Sequence, residues 1–307
     1  MSLTALLLVL TAAVAHAAWN IIAHGASRSG IPFLWWASLG SAVLWAGLIP
    51  VTGGIGSAGV RELLLGIAVS SVLHVAYMLV LQRGYARGEL STVYATARGS
   101  GPLLTVLVAV LVLGERPGPV ALLGIGVLLV GVVGFGLLGR EARGRGRAHR
   151  DSTQRGAAGR LGRVDPSIGY GVLTGTAIAA YTLWDTFVVT EWGVSPVAFM
   201  VGCALGEVPF FTLALVRGGA GDGLRRLLPE LRANWRALLA FGVLSPLSYV
   251  LVLTAVTIAP VSLVAPVREV SVILVGLYGV WRFRESRPVL RILAAIVVVA
   301  GVVLIGL

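Results

Sequence analysis

Runs of about twenty consecutive apolar residues recur along almost the whole chain, and this is the length that an α-helix needs to cross a bilayer. Ten such runs cover residues 3–23, 31–50, 62–83, 90–113, 118–138, 168–189, 196–216, 237–258, 261–282 and 289–307. Because lipid offers no hydrogen-bonding partner, each backbone group must be paired within its segment, and the alternation typical of a membrane β-strand is missing. The sequence therefore predicts an all-α integral membrane protein with ten transmembrane helices.

The composition agrees with this class and argues against others. Of the 307 residues, 57% are hydrophobic and 12% are charged. All 24 basic residues are Arg, and the formal net charge is +11. In so apolar a chain, this excess of positive charge is expected in cytoplasmic loops and not on a nucleic-acid-binding surface. The single cysteine, Cys203, cannot form an internal disulfide, and the histidines show no metal-ligand spacing, so neither a metal nor a cofactor is expected.

The amino-terminal run resembles the apolar core of a signal peptide. No basic residue precedes it, however, and the apolar stretch continues to about residue 23, which is the length of a full span. We therefore expect the first run to be a transmembrane helix.

Two polar stretches interrupt the apolar runs. Residues 140–166 form a low-complexity segment with eight Arg residues, which predicts a disordered linker in contact with anionic lipid. The stretch "DGLRRLLPELRANWRALL", which begins at Asp222, is compatible with either an amphipathic helix at the membrane surface or an ordinary basic loop.

The segments on the two sides of the linker, residues 1–139 and 167–307, are similar in sequence. A shift of 165 residues aligns Trp19 with Trp184 and Asn20 with Asp185, and a shift of 172 aligns Tyr77 with Tyr249. A shift of 170 aligns Arg98 with Arg268, Glu115 with Glu285 and Gly131 with Gly301. Each half would hold five spans, and an odd number places the second copy upside down, so the pattern predicts two inverted five-helix repeats, as in many transporters.

The distribution of Arg predicts the orientation in the membrane. Arg98 and Arg268 lie inside spans, and of the remaining arginines 20 fall on the side of the linker and 2 on the side of the termini. The positive-inside rule then places the linker in the cytoplasm of a bacterial cell and both termini outside.

Four ionisable residues lie at membrane depth, where such groups are costly and usually face a cavity or a partner. Arg98 and Arg268 lie within roughly 5 Å of the midplane, approached from opposite faces, so they are expected to converge. Glu269 follows Arg268 directly, and Glu207 lies near the middle of span seven. The arginines could hold a substrate, or they could be static ion pairs with Glu207 or Glu269 that join the repeats.

Aromatic and amide residues accompany these charges. His74 lies near the middle of span three with Tyr77 one turn away, and His16 shares a helix face with Asn20 in span one. His74 and Trp19 could equally have packing roles. Asp185 is expected to be an exposed carboxylate near the end of span six, and Glu115 and Glu285 are expected to be interfacial caps.

The buried charges suggest a mechanism. A carboxylate held between a low-dielectric environment and a nearby Arg can titrate near neutral pH. The hypothesis is that Glu207 or Glu269 exchanges a proton for substrate, while Arg98 and Arg268 hold its anionic or zwitterionic group.

The motifs "AHAAWN" after Val14, "VYATARGSGPLL" in span four and "LGERP" before span five resemble the EamA-type transporters of the drug/metabolite transporter superfamily. The resemblance implies secondary active transport by alternating access, usually export of small metabolites or drugs. The positions that match the family motifs are His16, Trp19, Asn20, Tyr94, Arg98, Gly99, Pro102 and Glu115. The second half departs from the pattern with Asp185, Val264 and Glu269, and ten-helix members are expected to keep both termini inside, contrary to the Arg count.

Four other functions can be compared with that of a metabolite transporter: an enzyme, a drug efflux carrier, a channel and a scaffold. None of the sequence signatures of an intramembrane hydrolase or metalloenzyme is present, so no enzymatic activity is predicted. A cationic drug efflux carrier, a passive channel or a non-transporting membrane scaffold are the alternatives.

Overall fold

The computed structural model describes residues 1–23, 30–87, 90–134, 166–217, 220–283 and 288–307, and within these ranges every regular element is a helix. The first half contains α1 (Leu3–Ala23), α2 (Ile31–Ala46), a 3₁₀ turn (Pro50–Thr52), α3 (Val60–Arg87), α4 (Leu90–Leu111) and α5 (Pro119–Gly134). The second half contains α6 (Pro166–Thr190), α7 (Pro196–Arg217), α8 (Ala220–Arg225), α9 (Leu227–Val256), α10 (Val261–Arg268), α11 (Val270–Phe283) and α12 (Pro288–Gly306). Residues 140–165 of the predicted linker lie outside the described residues.

Within the described ranges, seven stretches are helical, long and apolar enough to cross a membrane. They lie in α1, α3, α4, α6, α7, α9 and the combined α10 and α11, whereas the apolar α2 and α5 and residues 292–306 of α12 are shorter. The prediction of an all-helical, multi-pass membrane protein is confirmed in this form. The count of ten spans stays a prediction.

The distribution of polar and apolar side chains is the one expected for lipid surroundings. Leu64, Val130 and Leu293 are exposed on the outside of the helices, while Ser70 and Ser71 are buried inside. An apolar outer surface around a partly polar interior is stable only where the outer surface meets hydrocarbon and not water.

Each half places its first helix among the helices of the other half. Helix α1 packs along α9 and also contacts α10 and α11, whereas α6 packs along α3 and α4. Helix α2 lies against both α7 and α9. The interior is therefore formed by both halves together, and a side chain near the middle of α1 or α6 faces residues from distant parts of the chain.

The glycines of α5 let it approach α12 closely. A Cβ atom on Gly301 would lie 2.6 Å from the Leu128 nitrogen, and one on Gly124 would lie 2.8 Å from the Gly301 oxygen. A Cβ on Gly126 would meet nothing within 4 Å. Gly124 therefore packs against the other half of the same chain.

Two helices differ from the sequence-based spans in shape. The ninth span, predicted over residues 261–282, is broken at Glu269, where the Glu269 nitrogen donates to the Pro266 oxygen at 2.9 Å and the Val272 nitrogen donates to the Glu269 oxygen at 2.9 Å. Pro266 removes one backbone donor from this helix, which favours the break. The polar stretch before span eight is largely helical, and Asn234 leaves helical geometry with φ −120° and ψ 18°.

The two halves also meet at the helix ends opposite the linker. The Ser57 nitrogen donates to the Gly193 oxygen at 3.0 Å, and the Ser195 nitrogen donates to the Ile55 oxygen at 3.1 Å. Gly56 and Gly193 have positive φ angles of 86° and 66°, which suit glycine best. These hydrogen bonds join the α2–α3 connection to the α6–α7 connection.

Glu115 adds a second connection at the same end. Its carboxylate accepts hydrogen bonds from the backbone nitrogens of Val261 at 2.9 Å and Ser262 at 3.0 Å, so it caps the start of α10. The sequence predicted a cap, and the helix that it caps belongs to the other half of the chain. Its aligned counterpart, Glu285, lies outside the described residues.

Candidate functional site

A cavity of about 450 Å³ lies between the two halves, and it is lined by residues from α1, α2, α3, α4, α6, α7, α9 and α10. This volume lies in the range of small-molecule binding sites. Nine of the ten residues singled out from the sequence line it, namely His16, Trp19, Asn20, His74, Tyr77, Tyr94, Arg98, Glu207 and Arg268. Glu269, the tenth, lies behind the wall of the cavity.

The cavity extends from the middle of the helices toward the end on the linker side. Asn20 in the last turn of α1, Leu34 in the first turn of α2, Tyr85 near the end of α3 and Tyr94 near the start of α4 all line it. The opposite end is covered by the backbone hydrogen bonds between the α2–α3 and α6–α7 connections. Among the described residues, the lining of the cavity therefore continues to the linker-side ends of α1, α3 and α4.

Arg98 is neutralised by a carboxylate of the other half. Its Nη1 atom lies 3.4 Å from both Glu269 oxygens, and its guanidinium lies 5.3 Å from the centre of the Tyr94 ring. The Glu269 side chain is 2% exposed and that of Arg98 is 14% exposed. Arg98 thus forms a buried ion pair with Glu269, which is one of the two roles that the sequence left open for the arginines.

Arg268 has a different environment. Its Nη2 atom donates to the Tyr181 hydroxyl at 3.2 Å, and no carboxylate of the described residues forms a salt bridge with it. The guanidinium faces the cavity. Because a buried cation without a partner is costly, this group is the strongest candidate for binding an anion.

Glu207 faces the same cavity from α7. One of its oxygens accepts a hydrogen bond from the Ser38 hydroxyl at 2.7 Å, and no arginine of the described residues forms a salt bridge with it. The sequence offered Glu207 as an ion-pair partner of an arginine, and the structure gives that place to Glu269. Glu207 therefore presents a carboxyl group to the cavity that forms no salt bridge with an arginine of the described residues.

Asp185 is buried, and the expectation of an exposed interfacial carboxylate is wrong. Asp185 is 1% exposed, and its Oδ2 atom accepts a hydrogen bond of 2.5 Å from the Tyr249 hydroxyl. Depth along a helix does not fix burial, because α3, α9 and the α6–α7 connection cover this end of α6. The alignment of Asp185 with Asn20 was the one sequence signal of an inward position.

The histidines and the tryptophan make contacts that suit a rigid wall. The His74 ring stacks on Tyr181 with 4.3 Å between ring centres, and its Nδ1 atom lies 2.9 Å from the Ser70 carbonyl oxygen. His16 lies edge-on to Trp19 at 5.0 Å, and Asn20 Nδ2 donates to the His16 carbonyl oxygen at 2.8 Å. These contacts support the packing role that the sequence left open for His74.

Trp19 differs from Trp184 and Trp45, whose indole nitrogens donate hydrogen bonds to backbone oxygens. The Trp184 indole donates to the Gly66 oxygen at 3.1 Å and the Trp45 indole to the Gly242 oxygen at 3.1 Å. The Trp19 Nε1 atom is buried and has no hydrogen-bond partner among the described residues. Trp19 also lines the cavity.

Two tyrosines of the site were missed by the sequence analysis. Tyr181 holds Arg268, and Tyr249 holds Asp185. Tyr249 aligns with Tyr77 in the repeat, which could have marked it, whereas Tyr181 has no such signal. Within the described ranges, no group of three or more His, Cys, Asp and Glu residues is arranged to hold a metal ion.

Comparison with known proteins gives matches of two kinds. The model of the EamA-like transporter family matches residues 166–307. One crystal structure matches with a TM-score of 0.67 and 16% sequence identity, over 99% of this chain and 96% of the other, which supports the fold alone. No curated protein matches the sequence.

Proposed function

Because its second half, residues 166–307, is an EamA-like transporter unit, the chain belongs to the EamA-type transporters of the drug/metabolite transporter superfamily, and we propose that it carries a small anionic or zwitterionic metabolite by alternating access. The observation that carries this proposal is Arg268, whose guanidinium faces a cavity between the two halves and forms no salt bridge with a carboxylate of the described residues. We further propose that the transport is secondary active, coupled to protons and directed out of the cell.

An anionic group on the substrate is favoured by the difference between the two arginines. Arg98 already has Glu269 as counter-ion, so it gains less from a second anion. Among the described residues, Arg268 donates a hydrogen bond to the neutral Tyr181 hydroxyl and forms no salt bridge, and its planar guanidinium offers paired donors to a carboxylate or phosphate. The substrate anion would complete the ion pair that the protein leaves incomplete.

Glu207 extends the proposal to zwitterions. Its carboxylate lines the same cavity as Arg268, so a molecule with both charges could place its cationic group there and its anionic group at Arg268. With a purely anionic substrate, Glu207 would carry a proton, as the sequence hypothesis suggested. A cationic drug would use Glu207 alone, and this is the second candidate function.

Alternating access follows from the arrangement of the halves. The lining of the cavity reaches the linker-side ends of the described helices, and backbone hydrogen bonds join the halves at the opposite ends, which supports a state that is open toward the linker side. Two inverted five-helix repeats, residues 1–139 and 167–307, would supply a second state of the same kind with the opposite side open. The reciprocal packing of α1 and α6 into the opposite halves supports this proposal.

The function is tested first by the thermal stability of the purified protein in detergent, at two pH values, with amino acids, organic acids, phosphorylated metabolites and lipophilic cations. A ligand at about a hundred times its dissociation constant stabilises by roughly 2.7 kcal/mol. We expect carboxylates or phosphates to stabilise the protein. Stabilisation by cations only would favour drug efflux, and no stabilisation by any compound would favour a scaffold.

Transport itself is tested with the stabilising compound in proteoliposomes that carry a pH gradient of either sign. A carrier gives flux that saturates with concentration and changes with the pH gradient. Flux that rises in proportion to concentration would indicate a channel instead.

The orientation can be tested separately. We propose that the Arg-rich side, including the linker, lies in the cytoplasm, where it can contact anionic lipid. Cys203 is 4% exposed, so the wild-type chain should give little background labelling. A cysteine placed at Ser152 is expected to resist a membrane-impermeant maleimide in intact cells and to react after lysis. Labelling in intact cells would reverse the orientation.

A further inference from the structure

The Asp185 carboxylate is buried but only half satisfied. Its Oδ2 atom accepts the hydrogen bond from Tyr249, whereas its buried Oδ1 atom has no hydrogen bond within 3.5 Å among the described residues, and the Ser70 hydroxyl is a nearby donor to the carboxylate. An ionised carboxylate with an unpaired buried oxygen is costly, and a proton on that oxygen removes the charge. The geometry therefore favours a group that can take up a proton.

A small cavity connects this carboxylate with Arg268. It has a volume of about 10 Å³, close to that needed by one water molecule, and Asp185, Thr186 and Arg268 are among its lining residues. Tyr181 and Tyr249 line both this cavity and the large one. The carboxylate thus lies directly behind the part of the wall that carries the unpaired guanidinium.

Titratable or charged groups face Asp185 from every helix around it. They are His74 on α3, Tyr181 on α6, Cys203 and Glu207 on α7, Tyr249 on α9 and Arg268 on α10. Of these, Arg268 is a permanent cation. A charge on Asp185 therefore also acts on Arg268 and on its affinity for another anion.

We propose that Asp185 is a proton-binding site that controls anion binding at Arg268, an inference that rests on the proposed function. When Asp185 is ionised, its charge partly compensates that of Arg268 and competes with the substrate anion. When Oδ1 takes a proton from cavity water, this competition ends, so the anion and one proton bind together.

A proton suits this site better than a metal cation does. Arg268 on the wall repels a sodium ion, whereas protonation removes the charge of the carboxylate and adds no cation beside the guanidinium. The first half carries Asn20 at the aligned position, and its amide binds no proton at physiological pH. The coupling would therefore be a property of the second half.

The proton site is tested by infrared spectroscopy of the purified protein during a pH titration. We expect a carbonyl band of a protonated carboxyl group that appears and disappears with pH. Asp185→Asn should lose intensity from this band relative to the wild type, and the matched variant Glu191→Gln, at an exposed carboxylate, should keep the full intensity. A band of unchanged intensity in Asp185→Asn, or no band in the wild type, would overturn the assignment. Equal elution in size-exclusion chromatography checks that the variants are folded.

The link to Arg268 is tested with benzoate, whose single carboxylate and aromatic ring suit a cavity lined by arginine and aromatic residues. Above the titration midpoint of Asp185, benzoate affinity should fall by about tenfold per pH unit in the wild type and stay constant in Asp185→Asn. Benzoate should also cause proton uptake from weakly buffered solution, and Arg268→Gln should abolish this uptake while keeping the infrared band. Binding of benzoate without proton uptake would overturn the proposed link between Asp185 and Arg268.

Failure of this inference and failure of the proposed function give different results. Saturable flux in proteoliposomes without the Asp185 band would contradict only the proton site. The band without any saturable flux would contradict the transporter and the proposed coupling.

Discussion

Arg268→Gln is expected to weaken binding of the best anionic ligand by roughly a hundredfold, or about 3 kcal/mol, and to abolish its saturable transport. Glutamine keeps part of the side-chain length and a hydrogen-bond donor to Tyr181, but it loses the charge that the substrate anion would pair with. The measurement is a ligand titration followed by thermal stability or calorimetry, together with flux in proteoliposomes.

Two further variants separate charge from geometry in this experiment. Arg268→Lys keeps the positive charge and should recover part of the affinity, although it lacks the paired donors of the guanidinium. Arg217→Gln makes the same exchange on an exposed side chain at the end of α7, away from the cavity, and should leave affinity within about twofold of wild type. Unchanged affinity in Arg268→Gln would exclude the anion site and move the substrate to Glu207.

Glu269→Gln is expected to lower the free energy of unfolding by about 3–5 kcal/mol, because it leaves Arg98 buried without its counter-ion. Arg98→Gln should destabilise for the reciprocal reason. The double variant should lose less than the sum of the two single losses, since no unpaired charge remains. Unfolding in mixed detergent micelles measures these differences.

The matched control for this pair is Glu191→Gln, an exposed carboxylate after the end of α6, which should change stability by no more than about 0.5 kcal/mol. Additive losses from Arg98→Gln and Glu269→Gln would mean that the 3.4 Å contact contributes nothing as a pair. The two arginines would then have the same role, contrary to their different surroundings.

The convergence of the two arginines could be predicted from the sequence, and the choice of partners could not. The internal repeat and the rise of a helix fix the depth of Arg98 and Arg268, and both line one cavity. Which carboxylate pairs with which arginine depends on how α4 and α10 pack, and this is set by contacts between residues far apart in the chain.

Asp185 and Glu115 illustrate the same limit. The position of Asp185 near the end of an apolar run suggested exposure, but neighbouring helices and a connection between helices cover it. Glu115 was predicted as a cap from its place after a span, and the helix that it caps begins 146 residues later. Sequence periodicity reports the depth and face of a residue within its own helix, not the identity of a distant neighbour.

The contact between residues 55–57 and 193–195 consists mainly of main-chain atoms. A Cβ atom on Gly56 would collide with the backbone around Val194, and the Val194 side chain is itself buried in the core. The exposed positions of the two connections can therefore change in sequence without breaking this contact, provided that the two glycines and the buried Val194 are kept. The residues that line the cavity and the residues that form this contact are then different parts of the chain, so the cavity can change in evolution while the contact stays the same.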